Sequence, residues 1–427
     1  MDFKTHLETN FTPIDAMRIL ESFKRKRTYG VLLNTNKMSV EDFHALFPEL
    51  EKHPFVINGF LYDEEKLPLS ELPFHDLGLY YLQDPSAMAS VSFLNILSGE
   101  NVLDLCAAPG GKTIQASLIL KNSANIIAND LSFSRAQKLI SNVERLGLDN
   151  VIIINNDFSK IKGYQKFDKI ILDVPCSGSM MFRKNKEVQE DWSINKVLSL
   201  QKKQKELIQI AYKLLKDGGE LLYTTCSFAI QENEEVILSL LQTTNAFLLP
   251  LEKSELLYES KHLNKAYYLL PHLFQGEGQF ICKVKKPGLL SKNKQKPFQQ
   301  INEHLKTLKK YELSERYNYW HANDLYSLPT FFINKNYNIM RQGLKCFTLK
   351  GKDLIPHHHL SRYLSAQQST TLTYEQFKKY FRGEQLQTKV ANGYYLLSYE
   401  GLNISFCKVQ NGVVKNLLPK GLRVFKY

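Results

Sequence analysis

The stretch NVLDLCAAPGGKT, Asn101–Thr113, constrains this chain most. Val102–Leu105 is a short apolar run of strand-type residues, too short for a helix. Cys106–Gly111 turns the chain with small side chains, a proline and two glycines. Ile114–Leu120 then reads as a helix. A strand that ends in a small-residue loop and opens a helix is a ligand seat, because the backbone is approachable and free N–H groups attract anionic groups. An ordinary tight turn between strand and helix is the alternative. Two phosphate loops are excluded. The P-loop pattern needs Gly where Cys106 stands, although Gly111, Lys112 and Thr113 match its end. The G-x-G-x-x-G pattern is absent, since Pro109 precedes the only paired glycines. An adenosine cofactor not gripped mainly by phosphates remains.

From residue 100 strands and helices alternate. The predicted strands are Val102–Leu105, Asn125–Asp130, Val151–Asp157, Lys169–Val174, Glu220–Thr224 and, late, Phe280–Val284. The predicted helices include Ser134–Leu146, Ile194–Leu215 and Glu234–Leu241. Continuous apolar strands between helices imply a parallel sheet covered on both faces, with ligands off the carboxyl ends of its strands.

At 427 residues the chain is long enough for two or three domains, and 43% hydrophobic with 23% charged residues is a globular composition. No apolar stretch approaches the ~20 residues that span a bilayer. The N-terminus lacks a signal-peptide layout, so a cytoplasmic protein is expected. Six cysteines in this length form no disulfide framework, and no C-x-x-C pair implies zinc. A net charge of +12 fits a polyanionic partner.

Residues 1–75 read as a small α/β unit, with a helix over Phe11–Lys26, a strand over Tyr29–Leu33 and a helix over Val40–Leu46. Its run Lys24–Arg27 is a solvated face or an RNA contact. A helix is predicted over Ala87–Leu97. Residues 76–286 form the main domain, 287–310 a linker rich in Lys, Gln and Pro, 311–365 an aromatic-rich intermediate domain and 366–427 a small β module. His357–His359 reads as a solvated turn rather than a metal site, since adjacent side chains on a loop seldom converge on one ion.

The polar residues at the strand ends carry the chemistry. Asp130 stands 26 positions after Asp104, where an acid accepts hydrogen bonds from ribose hydroxyls. Asp157 could meet an adenine edge. Asp173 with Cys176 ends the fourth strand, and Cys226 ends the fifth. Each acid alone reads as a helix cap, and each cysteine alone as a small buried hydrophobe. Two cysteines at adjacent strand ends beside an acid read differently. Carbon 5 of a pyrimidine attacks a methyl group only after a thiolate has added at C6. An acid near N3 eases that addition, and a base must later remove the C5 proton. The base must leave its stack to be reached.

The motifs QDPSAM, DLCAAPGGKT, DVPCSGSMMFRK and TTCSFAIQENE lie between about Tyr80 and Lys285. In them the chain resembles the RNA cytosine-5 methyltransferases of the NOL1/NOP2/Sun family. The resemblance implies a Rossmann-like class I methyltransferase sheet. It implies an S-adenosylmethionine site at Cys106, Ala107, Ala108, Pro109, Gly110, Gly111, Lys112, Asp130, Asp157 and Asp173. It implies Cys226 as the nucleophile at C6 and Cys176 as the residue needed for product release. Asn392–Arg423 resembles the family's PUA-like RNA-binding module. The implied partner is 16S rRNA or the small ribosomal subunit, held by the N-terminal unit, the Arg183–Lys186 region and the C-terminal module. A tRNA or other rRNA target, or a non-catalytic assembly factor, are the alternatives. The family often has Glu where Asp84 stands, and commonly Ala and Glu at Val174 and Ser179. The last difference bears on base contacts near Arg183 and Lys184.

Overall fold

A computed structural model describes residues 2–121, 123–160, 166–290, 305–330, 337–365 and 369–426. Its centre is a twisted sheet of strands β1 (Val102–Asp104), β2 (Ile126–Asn129), β3 (Val151–Ile154), β4 (Phe167–Asp173), β5 (Leu215–Thr225), β6 (Ala266–Leu269) and β7 (Gln279–Lys285). The spatial order is β3-β2-β1-β4-β5-β7-β6. The first five run parallel, and β7 lies antiparallel to β5 and β6.

Strand alternation sends side chains to two cores. Leu103, Ile127, Ile152, Ile170 and Leu221 fill one face, and Val102, Ile126, Val151, Ile171 and Leu222 the other. Both faces are covered, so these strands read as unbroken apolar runs rather than alternating ones. The strand order reverses between β1 and β4, and sheets of this kind take their ligands off the carboxyl ends at such a point.

The N-terminal segment differs from its sequence reading. Phe3–Asn10 and Pro13–Ser22 are two helices, where one over Phe11–Lys26 was expected. Phe11 closes the first and Thr12 caps the second, the Thr12 hydroxyl accepting from Asp15 N at 3.1 Å, with Pro13 at the first helical position. Leu7, Phe11, Ala16 and Ile19 join the core of the central sheet. The first sheet also runs past residue 75, because Tyr80–Gln83 pairs antiparallel with Tyr29–Leu33. The following helix is Pro85–Ser92, shorter than Ala87–Leu97 and started by Asp84, whose carboxylate accepts from Ser86 N at 2.9 Å.

Most of the expected linker lies outside the described residues, but its end, Leu305–Lys310, is helical. Residues 311–365 do not stand alone. Ile339–Gln342 adds an antiparallel strand to β3, and Arg316 pairs with Asp149 at 2.8 Å. His357–His359 is not a solvated turn. His357 caps the helix His358–Tyr363, and His358 and His359 are buried. In the last module Gly393–Tyr399 and Leu402–Gln410 form an antiparallel pair around Gly401, whose φ of +71° favours glycine. No described helix is long and apolar enough to cross a membrane.

Candidate active site

β1 ends in the glycine loop, which β2 braces. Ala107 N donates to Asn129 O at 2.7 Å, Asn129 Nδ2 to Leu105 O at 3.1 Å, and Ala108 N to Asp130 Oδ2 at 3.2 Å. Gly110 takes φ +121° before the helix Gly111–Leu120, and no side chain caps that helix. Its first N–H groups are therefore open to a ligand. A Cβ on Gly111 would meet the Gln83 side chain at 2.8 Å. Two buried oxygens beside the loop, Asp104 Oδ1 and Gln83 Oε1, lack a hydrogen-bond donor. A polar ligand is the natural partner for such atoms.

Asp104 did not stand out as a site residue in the sequence. It receives the Thr113 hydroxyl at 2.7 Å, and burial pushes its carboxyl up to about 7. Asp130 also accepts from Ser132 N at 2.9 Å and pairs with Arg135 at 3.4 Å. Asp157 makes its contacts within its own loop, to Ser159 and Lys160. Lys112 is nearly buried, and its ammonium lies 2.8 Å from Asp173 Oδ2. Asp173 Oδ1 accepts the Thr224 hydroxyl at 2.7 Å.

The two strand-end cysteines meet. Cys176 Sγ and Cys226 Sγ are 3.1 Å apart, and both are partly exposed. Their contact and burial hold the Cys176 thiol well above its ordinary value. Burial also pushes the Cys106 thiol up. The cysteine loops are cross-tied: Met180 N donates to Cys226 O at 3.0 Å, and Phe228 N to Ser179 Oγ at 2.9 Å. Ser179 is thus a buried tie between loops. The first helix braces the same region, with Asn10 Nδ2 on Phe228 O at 3.0 Å and the Phe3 ring 4.7 Å from Phe182.

The basic residues divide. Arg27 and Arg183 converge on buried Glu277 at 2.7 and 3.0 Å. Lys26 pairs with Asp63 and Glu65. The Arg183 side chain is 9% exposed, so it serves the fold rather than an RNA surface, against the sequence expectation. Lys24, Arg25, Lys184 and Lys186 are exposed. Sequence reading also did not single out Glu232, which lies in the polar run Gln231–Glu234; Glu232, Asn233 and Glu234 are all buried, and nothing in the run marks which of them reaches the cysteine loops.

Comparison with known proteins finds relatives along nearly the whole chain. Residues 1–85 match the N-terminal domain of 16S rRNA methyltransferase RsmF, 91–285 the 16S rRNA methyltransferase RsmB/F family, and 367–424 the methyltransferase RsmF PUA domain. The ribosomal RNA small subunit methyltransferase F of Vibrio parahaemolyticus is 28% identical, over 98% of this chain and 95% of the relative. That of Vibrio vulnificus is 29% identical, over 92% and 90%. Among solved structures, a methyltransferase homolog protein from Pyrococcus horikoshii is 30% identical with a TM-score of 0.58, over 66% of this chain and 93% of that one. NSun6 from the same organism, solved with SFG, has a TM-score of 0.60 at 21% identity and shares the fold. Three family matches in the order of the domains, and relatives aligned nearly end to end, place the chain in the 16S rRNA methyltransferase RsmB/F family, as an rRNA methyltransferase.

Proposed function

We propose that this protein methylates carbon 5 of a cytosine in 16S rRNA, with S-adenosylmethionine as donor and a covalent bond between Cys226 and C6 as the intermediate. The observation that carries the reading is the cysteine pair, two thiols 3.1 Å apart at adjacent strand ends beside Asp173. S-adenosylmethionine, when bound, supplies an electrophilic methyl group. The residues that would hold it are Cys106–Lys112, Asp130, Asp157 and Asp173, around the open helix start and the partnerless oxygens of Asp104 and Gln83.

The Cys226 sulfur adds to C6 and gives carbon 5 the electron density to attack a methyl group. Asp173 is assigned to N3, where a shared proton eases that addition. Once carbon 5 is methylated its proton leaves to a base, the C6–S bond breaks, and Cys226 regains its thiolate. Cys176 is assigned to this release. The target base must be out of its stack to reach the pair.

Bisulfite mapping of 16S rRNA from cells with the protein, without it, and with Cys226→Ala tests the reading. One or more cytosines are expected to lose protection in the last two. Unchanged cytosines in all three defeat it, and a change confined to tRNA defeats the substrate.

A further inference from the structure

Glu232 is fully buried, yet its four hydrogen bonds come from neutral donors. Its Oε1 accepts from Ser177 N at 2.8 Å and from Gln204 Nε2 at 3.0 Å. Its Oε2 accepts the hydroxyls of Ser177 and Ser227, each at 2.5 Å. Ser177 follows Cys176 and Ser227 follows Cys226, so one carboxylate grips both cysteine loops. Gln204 donates to Pro175 O as well, at 2.8 Å, and ties the first loop to the long helix Ile194–Leu214. The Tyr223 hydroxyl donates to the Glu232 carbonyl at 2.6 Å and pins the backbone of the clamp.

Burying a carboxylate among neutral donors is a costly way to fill a core, and an apolar side chain would fill it more cheaply. What the carboxylate adds is convergence. Four donors from three elements meet on two oxygens, which no apolar group can arrange.

The geometry points to Glu232 as a positioning residue that sets the separation of Cys176 and Cys226 without touching RNA. The inference rests on the reading that both thiols serve one base. Addition at C6 and proton loss from C5 occur on neighbouring atoms of one ring, so both sulfurs must keep their places through one turnover. A displacement of about 1 Å costs on the order of 100-fold in rate.

The test uses the full-length protein and small subunits from cells lacking it. Glu232→Ala should lower kcat about 100-fold with KM for the subunit unchanged. Glu232→Gln keeps the shape, and both serine hydroxyls can reverse to accept from its amide. It should recover kcat to within about tenfold of wild type. The double variant Ser177→Ala/Ser227→Ala removes only two hydroxyls and should fold, losing about 30-fold in kcat at unchanged KM. Wild-type kcat in the double variant, or kcat and KM falling together with the melting temperature, overturns the inference. So does a Glu232→Gln variant as slow as Glu232→Ala.

A Cys176→Ala background separates the two readings. If Cys176→Ala and wild type give neither covalent protein–RNA species nor methylated cytosine, the function proposed above fails and takes the clamp with it. If Cys176→Ala forms the covalent species and the added serine changes leave its rate alone, only the clamp fails.

Discussion

Lys112 Nζ lies 2.8 Å from Asp173 Oδ2 and so joins the glycine loop to the end of β4. The lysine side chain is 7% exposed and the aspartate 36%, so the pair is half in water. The sequence placed both residues at a cofactor. The structure shows them also holding each other.

Lys112→Met should therefore destabilise the protein, because it leaves Asp173 without its cation. A buried pair loses roughly 3–5 kcal/mol on removal of one partner, and solvent at Asp173 brings this to about 1–3 kcal/mol. Lys112→Met/Asp173→Asn should restore part of the loss. Urea unfolding of the wild type, both single variants and the double variant measures the coupling. Additive losses would show that the contact contributes nothing.

RNA affinity should depend on salt through the exposed lysines and not through Arg183. Each phosphate contact removed lowers the slope of log K against log salt by about 0.7–0.9. Lys184→Ala and Lys186→Ala should each move the slope by that amount. Arg183→Ala should leave the slope alone and lower the melting temperature, since it deprives Glu277 of one of two cations. Filter binding at several salt concentrations reads both effects.

The strands of the central sheet were legible because each is an apolar run bounded by polar residues. The helix Val40–Leu46 was legible because Ser39 caps it. The Thr12-Pro13 start of the second helix carried a cap signal too, but the apolar spacing across it read as one longer helix. Ile339–Gln342 could not be placed from local pattern, since its membership in the main sheet depends on pairing with Ile152–Ile154, far away in the chain. Asp130, Asp173, Cys176 and Cys226 were visible because strand ends expose chemistry. The clamp on Glu232 was not, because its four donors come from positions 177, 204 and 227, and only the fold brings them together.

Removing either cysteine should give different failures. Cys226→Ala should abolish both methylation and covalent attachment, because Cys226 is the sulfur assigned to C6 and Cys176, 3.1 Å away, is assigned to release. Cys176→Ala should allow attachment and block release, so a species the mass of protein plus RNA should persist on a denaturing gel. Free methylated product from Cys176→Ala would remove Cys176 from the release step.

His359 makes the junction between the C-terminal part and the central domain sensitive to acid. Its Nε2 hydrogen-bonds Leu148 O at 2.8 Å, and its Nδ1 accepts from Lys345 N at 3.4 Å. The ring is therefore neutral, with its proton on Nε2. A second proton would face the Lys345 N–H, in a buried site near Arg341 and His357. Burial, first, and those neighbours hold its pKa well below the ordinary 6.5. As pH falls below 6.5 the unfolded chain takes up this proton and the folded one does not, so stability falls with pH there. Gln carries an amide donor and a carbonyl acceptor but no titrating group. His359→Gln should thus flatten the fall by about 1.4 kcal/mol per pH unit, the weight of one proton. The neighbouring His357 and His358 are depressed in the same way and contribute to the slope that remains. Urea unfolding of wild type and variant between about pH 5 and pH 8 gives both slopes. Equal slopes would mean that His359 is protonated in the folded protein as readily as in the unfolded chain.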